Sequence, residues 1–374
     1  MNPKFGLFMD GKGVKLSVII PFKERGNSSI ERLYWAVNCF FDFSKIEIII
    51  FDVGANSIGY QLNFGFRRSI KYYHHPVDGT FSPGLIRNFA AKKATGDFLF
   101  FFDADLVALP GFIKMVKARA LELKFIGETA FDMFPCLYLS KKATRAAYQH
   151  GFATQNDYLR SFLQGDLATI EGISVSGSCL LVNRTWFNLI GGFCEEYIGH
   201  GCEDFDLIHR LSAYYQITQL PEDYIENIKT PFPAEYQGFR KYFCYYSLPH
   251  LFEGDFLLHQ WHHRPLSKTY HKRYSINAKI LADRMSSPLP DITIPGTGQV
   301  SKAFSLKGEI TDYNDWLMRL LQKHSLSRND CIGLFEYKGG TSPNQRSIFR
   351  KARKLLINPK GFFKDIKFFK SRVQ

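Results

Sequence analysis

Apolar residues in this chain are concentrated in short continuous runs that are separated by stretches of mixed polarity. Such runs occupy residues 16–22, 46–51 and 98–102, and the stretch 30–41 has the pattern of a connecting helix. Uninterrupted apolar runs of this length are typical of strands that are buried on both faces of a parallel sheet. The alternation therefore predicts an α/β chain whose strands and crossover helices build a nucleotide-binding half-sheet.

Acidic residues follow two of these predicted strands. Asp52 follows the second run in the segment DVGANS, and Asp103 and Asp105 follow the third in the segment DAD. Ligands of open α/β sheets bind outside the carboxyl ends of the strands, and two carboxylates one residue apart can bind one hard cation beside a diphosphate. The alternative is that the Asp-x-Asp segment only caps a turn and the helix that Pro110 begins.

A second acidic cluster lies in the segment GGFCEEYIGHGCEDFDL at residues 191–207. It joins a glycine-rich loop to several carboxylates, among them Glu203 and Asp204. The chain contains no Gly-x-Gly-x-x-Gly or Walker segment, which removes support for dinucleotide-binding and P-loop sites. Together with the Asp-x-Asp segment, the cluster predicts a metal-dependent sugar transferase.

The composition is that of a large globular enzyme. The 374 residues are 45% hydrophobic and 16% aromatic, enough for a core larger than that of one ordinary domain. Seven cysteines without Cys-x-x-Cys spacing indicate a reducing compartment. The N-terminal segment MNPKFGLFMDGKGVKL lacks the apolar run of a secretory signal, and the apolar runs are shorter than the roughly 20 residues of a spanning helix. We therefore expect a cytoplasmic protein.

Positive charge is concentrated at the C-terminus. The chain has a net charge of +13, and residues 346–374 contain ten lysines or arginines against one aspartate. Apolar residues at helical spacing between these charges are typical of a helix on an anionic lipid surface, so we expect the segment 346–372 to bind the inner membrane peripherally. The alternatives are a basic helix packed on its own domain and a solvated tail. No nucleic-acid-binding motif accompanies the charge, so nucleic acid is not an expected partner.

Four segments in order resemble the family-2-type inverting glycosyltransferases with a GT-A fold. They are SVIIPFKERGN, IIIFDVGANS, SPGLIRNFAAKKATGDFLFFFDADLV and GGFCEEYIGHGCEDFDLIHRL, and the resemblance covers about residues 15–265. The last segment resembles the C-terminal part of galactosyl- and N-acetylgalactosaminyltransferase domains, including those of bacterial chondroitin-type capsule polymerases. The resemblance implies a GT-A (Rossmann-like) mixed α/β sheet flanked by helices, with a small, mostly helical C-terminal extension.

The resemblance also implies the reaction. A hexose or N-acetylhexosamine (Gal, GalNAc, Glc or GlcNAc) would pass from a UDP-sugar to a glycan or lipid-linked acceptor in bacterial capsule or lipopolysaccharide synthesis. Two other classes stay open, namely a catalytically inert carbohydrate-binding or scaffold subunit of a capsule assembly complex and a nucleotidyltransferase. The absence of a glycine-rich triphosphate loop near Pro21 counts against the nucleotidyltransferase.

Displacement of a diphosphate through an oxocarbenium-like transition state requires that the leaving group be neutralised. Manganese or magnesium, held by Asp105 with Asp103, would supply that charge. A third ligand is expected in LLHQWHHRP at residues 257–265, and the resemblance favours His259. In an extended strand His259 and His262 face opposite sides, so one of them is expected to reach the ion, with His262 as the second choice.

The resemblance assigns the sugar-binding and catalytic residues to the loop around Glu203. Asp204 would be the general base that deprotonates the acceptor hydroxyl, and Glu203 would hydrogen-bond the donor sugar. His200 and Gly201 would contact the donor and acceptor sugars. Relatives commonly have a tryptophan where this chain has His200, which leaves the donor open, and the alternative is that His200 is only an exposed loop residue.

The nucleotide is expected at the carboxyl ends of the first two strands. Asp52 would accept a hydrogen bond from the uracil imide, and Pro21 and Phe22 would form the wall of the pocket. Arg87 resembles a residue near the base and phosphates, and the alternative is a surface salt bridge on an amphipathic helix. The other expected nucleotide contacts are Glu24 and Asp103.

The predicted domain boundaries follow the changes in composition. They are an N-terminal lead-in at 1–14, a GT-A domain at 15–285 with a nucleotide half at about 15–110 and an acceptor half at about 111–285, a linker at 286–300, a small helical accessory region at 301–340 and a basic amphipathic tail at 341–374.

Overall fold

The computed structural model describes residues 13–40, 45–59, 69–228, 230–263, 273–294, 298–300 and 312–335. The predicted basic tail at 341–374, with its membrane-binding segment, lies outside these residues, as does most of the lead-in. Within the ranges just given, the structure has no helix with both the length and the apolar character that crossing a bilayer requires.

Strands and helices alternate through most of the described chain. The strands are β1 (Leu16–Phe22), β2 (Ile46–Asp52), β3 (Ile70–His74), β4 (Phe98–Phe101), β5 (Leu106–Ala108), β6 (Phe131–Met133), β7 (Cys136–Leu139), β8 (Ile170–Ser174), β9 (Leu180–Asn183), β10 (Leu257–His259), β11 (Ile292–Ile294) and β12 (Gly298–Val300). The α-helices are α1 (Asn27–Asn38), α2 (Pro83–Ala91), α3 (Phe112–Ile126), α4 (Lys141–His150), α5 (Gln155–Leu163), α6 (Arg184–Leu189), α7 (Glu203–Tyr214), α8 (Phe239–Glu253), α9 (Tyr274–Met285), α10 (Tyr313–Lys323) and α11 (Ile332–Phe335).

The main sheet has the strand order β3-β2-β1-β4-β9-β6. The first four strands of this order are mutually parallel, whereas β9 runs antiparallel to β4 and to β6. The predicted mixed α/β sheet is therefore confirmed. The three apolar runs form its centre, and β1, β2 and β4 are buried along their whole length, as their uninterrupted apolar sequences predict.

Helices cover both faces of this sheet. Successive side chains of a strand point to opposite faces, so β4 supplies Phe98 and Phe100 to one core and Leu99 and Phe101 to the other. Helices α1 and α3 pack into the first core, and α2 and α7 pack into the second. The sheet therefore holds the start of α2 and the chain that follows β4 in fixed positions.

A second sheet has the order β5-β10-β7-β8. Strand β10 pairs antiparallel with β5 and parallel with β7. Since β5 follows β4 after only a short connection, residues 102–105 carry the chain from one sheet to the other. This junction is where the Asp-x-Asp segment lies.

The C-terminal part of the described chain packs on the same core. Leu317 and Leu321 of α10 join the core beneath β4, and the Trp316 ring lies edge-on to Tyr245 at 4.7 Å. Part of the predicted linker is ordered into an antiparallel pair, because β11 and β12 bond to each other. The described helices of the predicted accessory region are thus an extension of the main domain's core.

Candidate active site

The carboxylate of Asp105 lies beside two imidazole rings where the two sheets meet. Its Oδ2 atom is 3.3 Å from His259 Nε2 and 3.2 Å from His262 Nε2. The β5–β10 register places His259 opposite Leu106, and the Gln260 N–H donates to the Asp105 carbonyl at 2.8 Å. The three ligand atoms lie within 4.8 Å of one another. Backbone pairing thus brings together residues that are about 150 positions apart in the chain.

Both histidines lie beside Asp105, whereas the sequence led us to expect that only one of them would reach the ion. The expectation assumed an extended strand, but β10 ends at His259. Beyond it, the Gln260 side chain accepts a hydrogen bond from Tyr148 at 2.5 Å, and the Trp261 N–H donates to Thr144 Oγ1 at 2.9 Å. These contacts with α4 take the chain out of the strand, so the period-2 alternation no longer applies to His262.

The donor set around Asp105 fits a divalent transition-metal ion. One carboxylate and two imidazoles are ordinary ligands for such ions, and each of the three side chains is partly accessible. Burial by itself raises the pKa of Asp105, but the adjacent His259 and His262 outweigh burial and hold it well below its usual range. The carboxylate is therefore anionic at neutral pH, as a ligand must be.

Asp103 lies in a different environment from Asp105, although one residue separates them. Its Oδ1 atom accepts from Arg87 Nη2 at 2.7 Å, and its Oδ2 atom accepts from Ser178 Oγ at 2.6 Å. Asp103 is not one of the residues whose ligand atoms are grouped around Asp105. Both of its oxygens have protein donors, so we assign Asp103 to the acidic cluster described next.

A single guanidinium connects the Asp-x-Asp segment to the second acidic segment. Arg87 is 3% exposed, and besides Asp103 it donates from Nη1 to Asp204 Oδ1 at 2.9 Å. The same nitrogen lies 3.6 Å from Glu203 Oε1. Burial lowers the pKa of Arg87, but Asp103, Asp204 and Glu203 together raise it above its usual value. The alternative of a surface salt bridge is wrong, because this arginine is buried among three carboxylates.

The helix that carries Arg87 also fixes the glycine-rich loop. Asn88 accepts from the Phe193 N–H at 2.9 Å and donates to the Phe193 carbonyl at 2.8 Å. Gly192 has φ +64, and a Cβ there would lie 2.7 Å from Asn88 Oδ1. The close approach of loop and helix therefore requires glycine at this position. Consecutive residues of α2 thus hold the acidic cluster and the loop that leads into it.

The two carboxylates at the start of α7 are electrostatically unequal. Burial raises the pKa of Glu203 to about 8, the charge of Asp204 adds to that rise, and Arg87 opposes it. Burial also raises the pKa of Asp204, while Arg87 lowers it through a direct hydrogen bond. Glu203 therefore keeps its proton at neutral pH, and Asp204 is the carboxylate that Arg87 stabilises in its charged form.

The Gly-His-Gly loop before α7 is held by its backbone. Asn277 of α9 is buried, and its Nδ2 donates to the carbonyls of Ile198, His200 and Gly201 at 3.2, 3.3 and 3.0 Å. His200 is exposed, and its ring centroid lies 6.4 Å from that of Tyr274. The structure thus places the expected sugar-contact residues at the rim of the acidic cluster.

A buried ion-pair network connects α7 to α9 and to the glycine-rich loop. Asp206 is fully buried and accepts from Arg210 Nη2 at 2.7 Å and from Arg284 Nε at 2.5 Å. Arg210 also donates to the carbonyls of Ile190 and Gly192, each at 2.7 Å. The network thus ties the start of the loop to α7, and Asn88 ties the same part of the loop to α2.

Three of the predicted nucleotide residues, Pro21, Phe22 and Asp52, lie at the ends of β1 and β2. Phe22 pairs with Asp52 in the parallel register, and both are buried, as is Pro21. The Asp52 carboxylate accepts from the Gly54 N–H at 2.8 Å and from Tyr72 Oη at 2.6 Å. It is thus already satisfied by its own turn and by β3, and the base contact expected of it stays a prediction.

Glu24 lies two residues beyond β1 and accepts a hydrogen bond from the Gly26 N–H. It is partly exposed, in contrast to the buried residues of the strand. The structure places it in the loop before α1, and a nucleotide contact by Glu24 stays a prediction.

Two contributors were missed by sequence reasoning. Ser178 holds the second oxygen of Asp103, and Asn277 holds the Gly-His-Gly backbone. Ser178 lies in the serine- and glycine-rich segment VSGS, which carries no periodic signal, and Asn277 is a single polar residue inside a helical pattern. Asn277 is spaced four and eight residues from Leu281 and Met285, and an asparagine on such an apolar helix face is the signal that would have pointed to it.

Comparisons with known proteins give the following similarities. Residues 17–285 match the family described as "Glycosyltransferase like family 2". No curated protein sequence matches the chain. The chain is similar to S. aureus TarS 1–349 in complex with UDP-GlcNAc, with 17% identity, 53% of each chain covered and a TM-score of 0.33. It is also similar to GalNAc-T7 with UDP, GalNAc and Mn²⁺, with 14% identity, 55% of this chain and 42% of that chain covered, and a TM-score of 0.38.

Proposed function

The chain belongs to the glycosyltransferase-like family 2, and from this premise we propose that it is a metal-dependent inverting transferase that uses a UDP-sugar. It moves a hexose or N-acetylhexosamine to a glycan or lipid-linked acceptor in bacterial capsule or lipopolysaccharide synthesis. One observation carries the proposal. The cluster of Asp105, His259 and His262 follows directly on Asp103, which Arg87 joins to Asp204.

Asp105, His259 and His262 are the residues that would hold the ion. A bound Mn²⁺ or Mg²⁺ supplies the positive charge that stabilises a departing diphosphate. The partial exposure of the three side chains leaves room for a substrate oxygen at the same site. Two imidazoles favour manganese over magnesium, because magnesium prefers oxygen ligands alone.

Asp204 is the general base of the proposed reaction. It takes the proton of the acceptor hydroxyl while the acceptor oxygen forms a bond to the anomeric carbon and the bond from that carbon to the UDP oxygen breaks. Arg87 holds one oxygen of this carboxylate, and about a fifth of the side chain is exposed, 22%, so it is accessible to a hydroxyl. Burial raises the pKa of Asp204, which makes it a stronger base than a surface aspartate.

Glu203 binds the donor sugar as a hydrogen-bond donor in this proposal. Its pKa of about 8 keeps it protonated at neutral pH, so it can donate to a sugar hydroxyl. Within the described part of the chain, its Oε2 atom is buried and has no hydrogen-bond partner. A substrate hydroxyl would satisfy that atom, since unpaired buried polar groups are costly.

The test is a panel of UDP-sugars assayed with the full-length protein and manganese, magnesium or chelator. We expect metal-dependent UDP release that is selective for one sugar and increases with an acceptor glycan. Asp105→Asn and Asp204→Asn should each abolish transfer with little change in melting temperature. Asp283→Asn, at an exposed position on α9, is the matched control and should keep full activity.

Other outcomes would replace the proposal. Stabilisation by a UDP-sugar without turnover would indicate an inert sugar-binding subunit, and pyrophosphate release from a nucleoside triphosphate would indicate a nucleotidyltransferase. Normal turnover in Asp105→Asn or Asp204→Asn would contradict the assigned roles.

The proposal includes a peripheral position on the inner membrane. Its support is the sequence of the segment 346–372, in which basic residues alternate with apolar residues at helical spacing. The full-length protein should co-sediment with vesicles that contain anionic lipid and should be released at high salt. Equal binding after removal of 346–374 would contradict this role.

A further inference from the structure

A second cluster of potential metal ligands lies at the end of α8, in the segment HLFEGD. It consists of His250, Glu253 and Asp255, whose ligand atoms lie within 4.8 Å of one another. His250 and Glu253 are three residues apart on one helix and therefore share a face. Gly254 ends the helix in the left-handed conformation with φ +83, and the Asp255 N–H donates to the His250 carbonyl at 2.8 Å. This C-terminal cap turns Asp255 back toward His250.

The imidazole of His250 is buried and has one unsatisfied nitrogen. The residue is 7% exposed, and its ring packs against that of Phe134 with centroids 4.8 Å apart. Its Nδ1 atom lies 3.9 Å from Asp255 Oδ2, and among the described residues no group hydrogen-bonds it. A buried nitrogen without a hydrogen-bond partner, 3.9 Å from a carboxylate oxygen, is unusual in a native structure.

The other ring nitrogen of His250 faces a carboxylate that is itself held in place. His250 Nε2 lies 3.6 Å from Asp132 Oδ1. Asp132 accepts from Arg119 Nε at 2.7 Å and from Arg119 Nη2 at 3.1 Å. Metal-binding histidines usually direct the second ring nitrogen to a carboxylate or carbonyl, which fixes the ring and its tautomer. Arg119 holds Asp132, and Asp132 faces Nε2 of His250, so Nδ1 is the ring nitrogen that can bind a metal ion.

We propose that His250, Glu253 and Asp255 bind a divalent transition-metal ion, for which Zn²⁺ is the probe of choice. One imidazole and two carboxylates suit zinc, and three protein ligands leave a position for water. The ion would join the C-terminus of α8 to the chain that enters β10, whose last residue is His259. It would stabilise the strand that delivers His259 to Asp105 without contacting the sugar substrates.

A competing account needs no ion. Burial lowers the pKa of His250, but Asp132 and Asp255 outweigh burial and raise it to about 9, so a protonated ring can itself balance the carboxylates. Glu253 lies 3.8 Å from Lys323 Nζ, which supplies a further positive charge. The experiment must therefore distinguish a metal site from an ion-pair cluster.

The test measures how many Zn²⁺ ions the tag-free, full-length protein binds, by calorimetric titration with Zn²⁺ alone and by metal analysis after gel filtration. We expect two tight equivalents in the native protein. Glu253→Gln and Asp255→Asn should each bind only one Zn²⁺ ion, because each variant removes a ligand of the site at α8. His259→Gln combined with His262→Gln should lose the other and keep the one at α8.

The variants also separate the two accounts by stability. Zn²⁺ should raise the melting temperature of the His259→Gln, His262→Gln protein, and adding Glu253→Gln should remove that rise. Glu222→Gln, at another exposed glutamate, is the matched control and should keep both equivalents. An unchanged zinc count in Glu253→Gln and Asp255→Asn would overturn the proposal in favour of the ion-pair cluster. Because the readout is bound metal, this result is independent of whether the proposed transferase activity is found.

Discussion

The two aspartates of the Asp-x-Asp segment differ in their surroundings, although a single residue separates them. Asp105 faces two imidazoles, whereas Asp103 is bound by Arg87 and Ser178. The carboxylate of Asp105 is therefore available to a cation. The carboxylate of Asp103 already has a counter-charge in Arg87. The comparison shows that tertiary contacts, and not the sequence motif, determine the electrostatic surroundings of neighbouring carboxylates.

The largest effect is expected from Arg87→Met, which disrupts the surroundings of Asp103. It leaves the charged Asp103 and Asp204 without their buried counter-charge, and we expect a loss of about 3–5 kcal/mol in the free energy of unfolding. Urea denaturation measures it. Arg87→Lys should recover part of the lost stability, because an ammonium group keeps the positive charge but cannot bind Asp103 and Asp204 through two separate nitrogens as the guanidinium does.

Arg160→Met, at an exposed position on α5, is the control for this prediction and should change stability by less than about 0.5 kcal/mol. If Arg87→Met were as stable as the native protein, the carboxylates would be neutral in the folded state and the comparison between the two aspartates would not hold.

A smaller effect is expected when the surroundings of Asp105 are altered one histidine at a time. His259→Gln and His262→Gln should each weaken Mn²⁺ binding by about 10–100-fold, because the structure brings both rings to Asp105. Manganese titration of UDP release measures the affinity. The single-histidine expectation from the sequence predicts instead that one of the two variants binds Mn²⁺ normally. His150→Gln, an exposed histidine at the end of α4, should bind as the native protein does.

The last prediction concerns Glu203→Gln and the pH dependence of the free energy of unfolding. The pKa of Glu203 is raised from 4.5 to about 8, so the folded protein keeps a proton that the unfolded chain releases between these values. This contribution to stability is complete below pH 4.5 and is lost as the pH rises toward about 8. Glu203→Gln cannot ionise, so its free energy of unfolding should decline less over that range, as measured by urea denaturation at several pH values. An identical pH profile for both proteins would show that Glu203 is charged in the folded state.

The strands and the acidic segments could be predicted because their signals are local. Uninterrupted apolar runs predict buried strands, and in an α/β chain the residues after those strands lie at one edge of the sheet. That reasoning anticipated the positions of Asp105 and of Asp52 at strand ends, and the structure has both there.

The partners of these residues could not be predicted because they depend on tertiary contacts. Arg87 and Asp204 are 117 positions apart, and nothing in either local sequence indicates that a buried guanidinium joins them. The position of His262 depends on hydrogen bonds between residues 260–261 and α4, which take the chain out of the strand after His259. The alternation of side chains applies only within a strand, and the sequence does not determine reliably at which residue a strand ends.

Asn277 holds the Gly-His-Gly loop through backbone carbonyls and makes no use of the side chain at position 200. Because these three hydrogen bonds end on main-chain oxygens, an exchange of the side chain at position 200 leaves their acceptor atoms in place. For protein engineering, position 200 is therefore an exposed position beside the acidic cluster where side chains can be exchanged while the contacts of Asn277 with the loop backbone are kept.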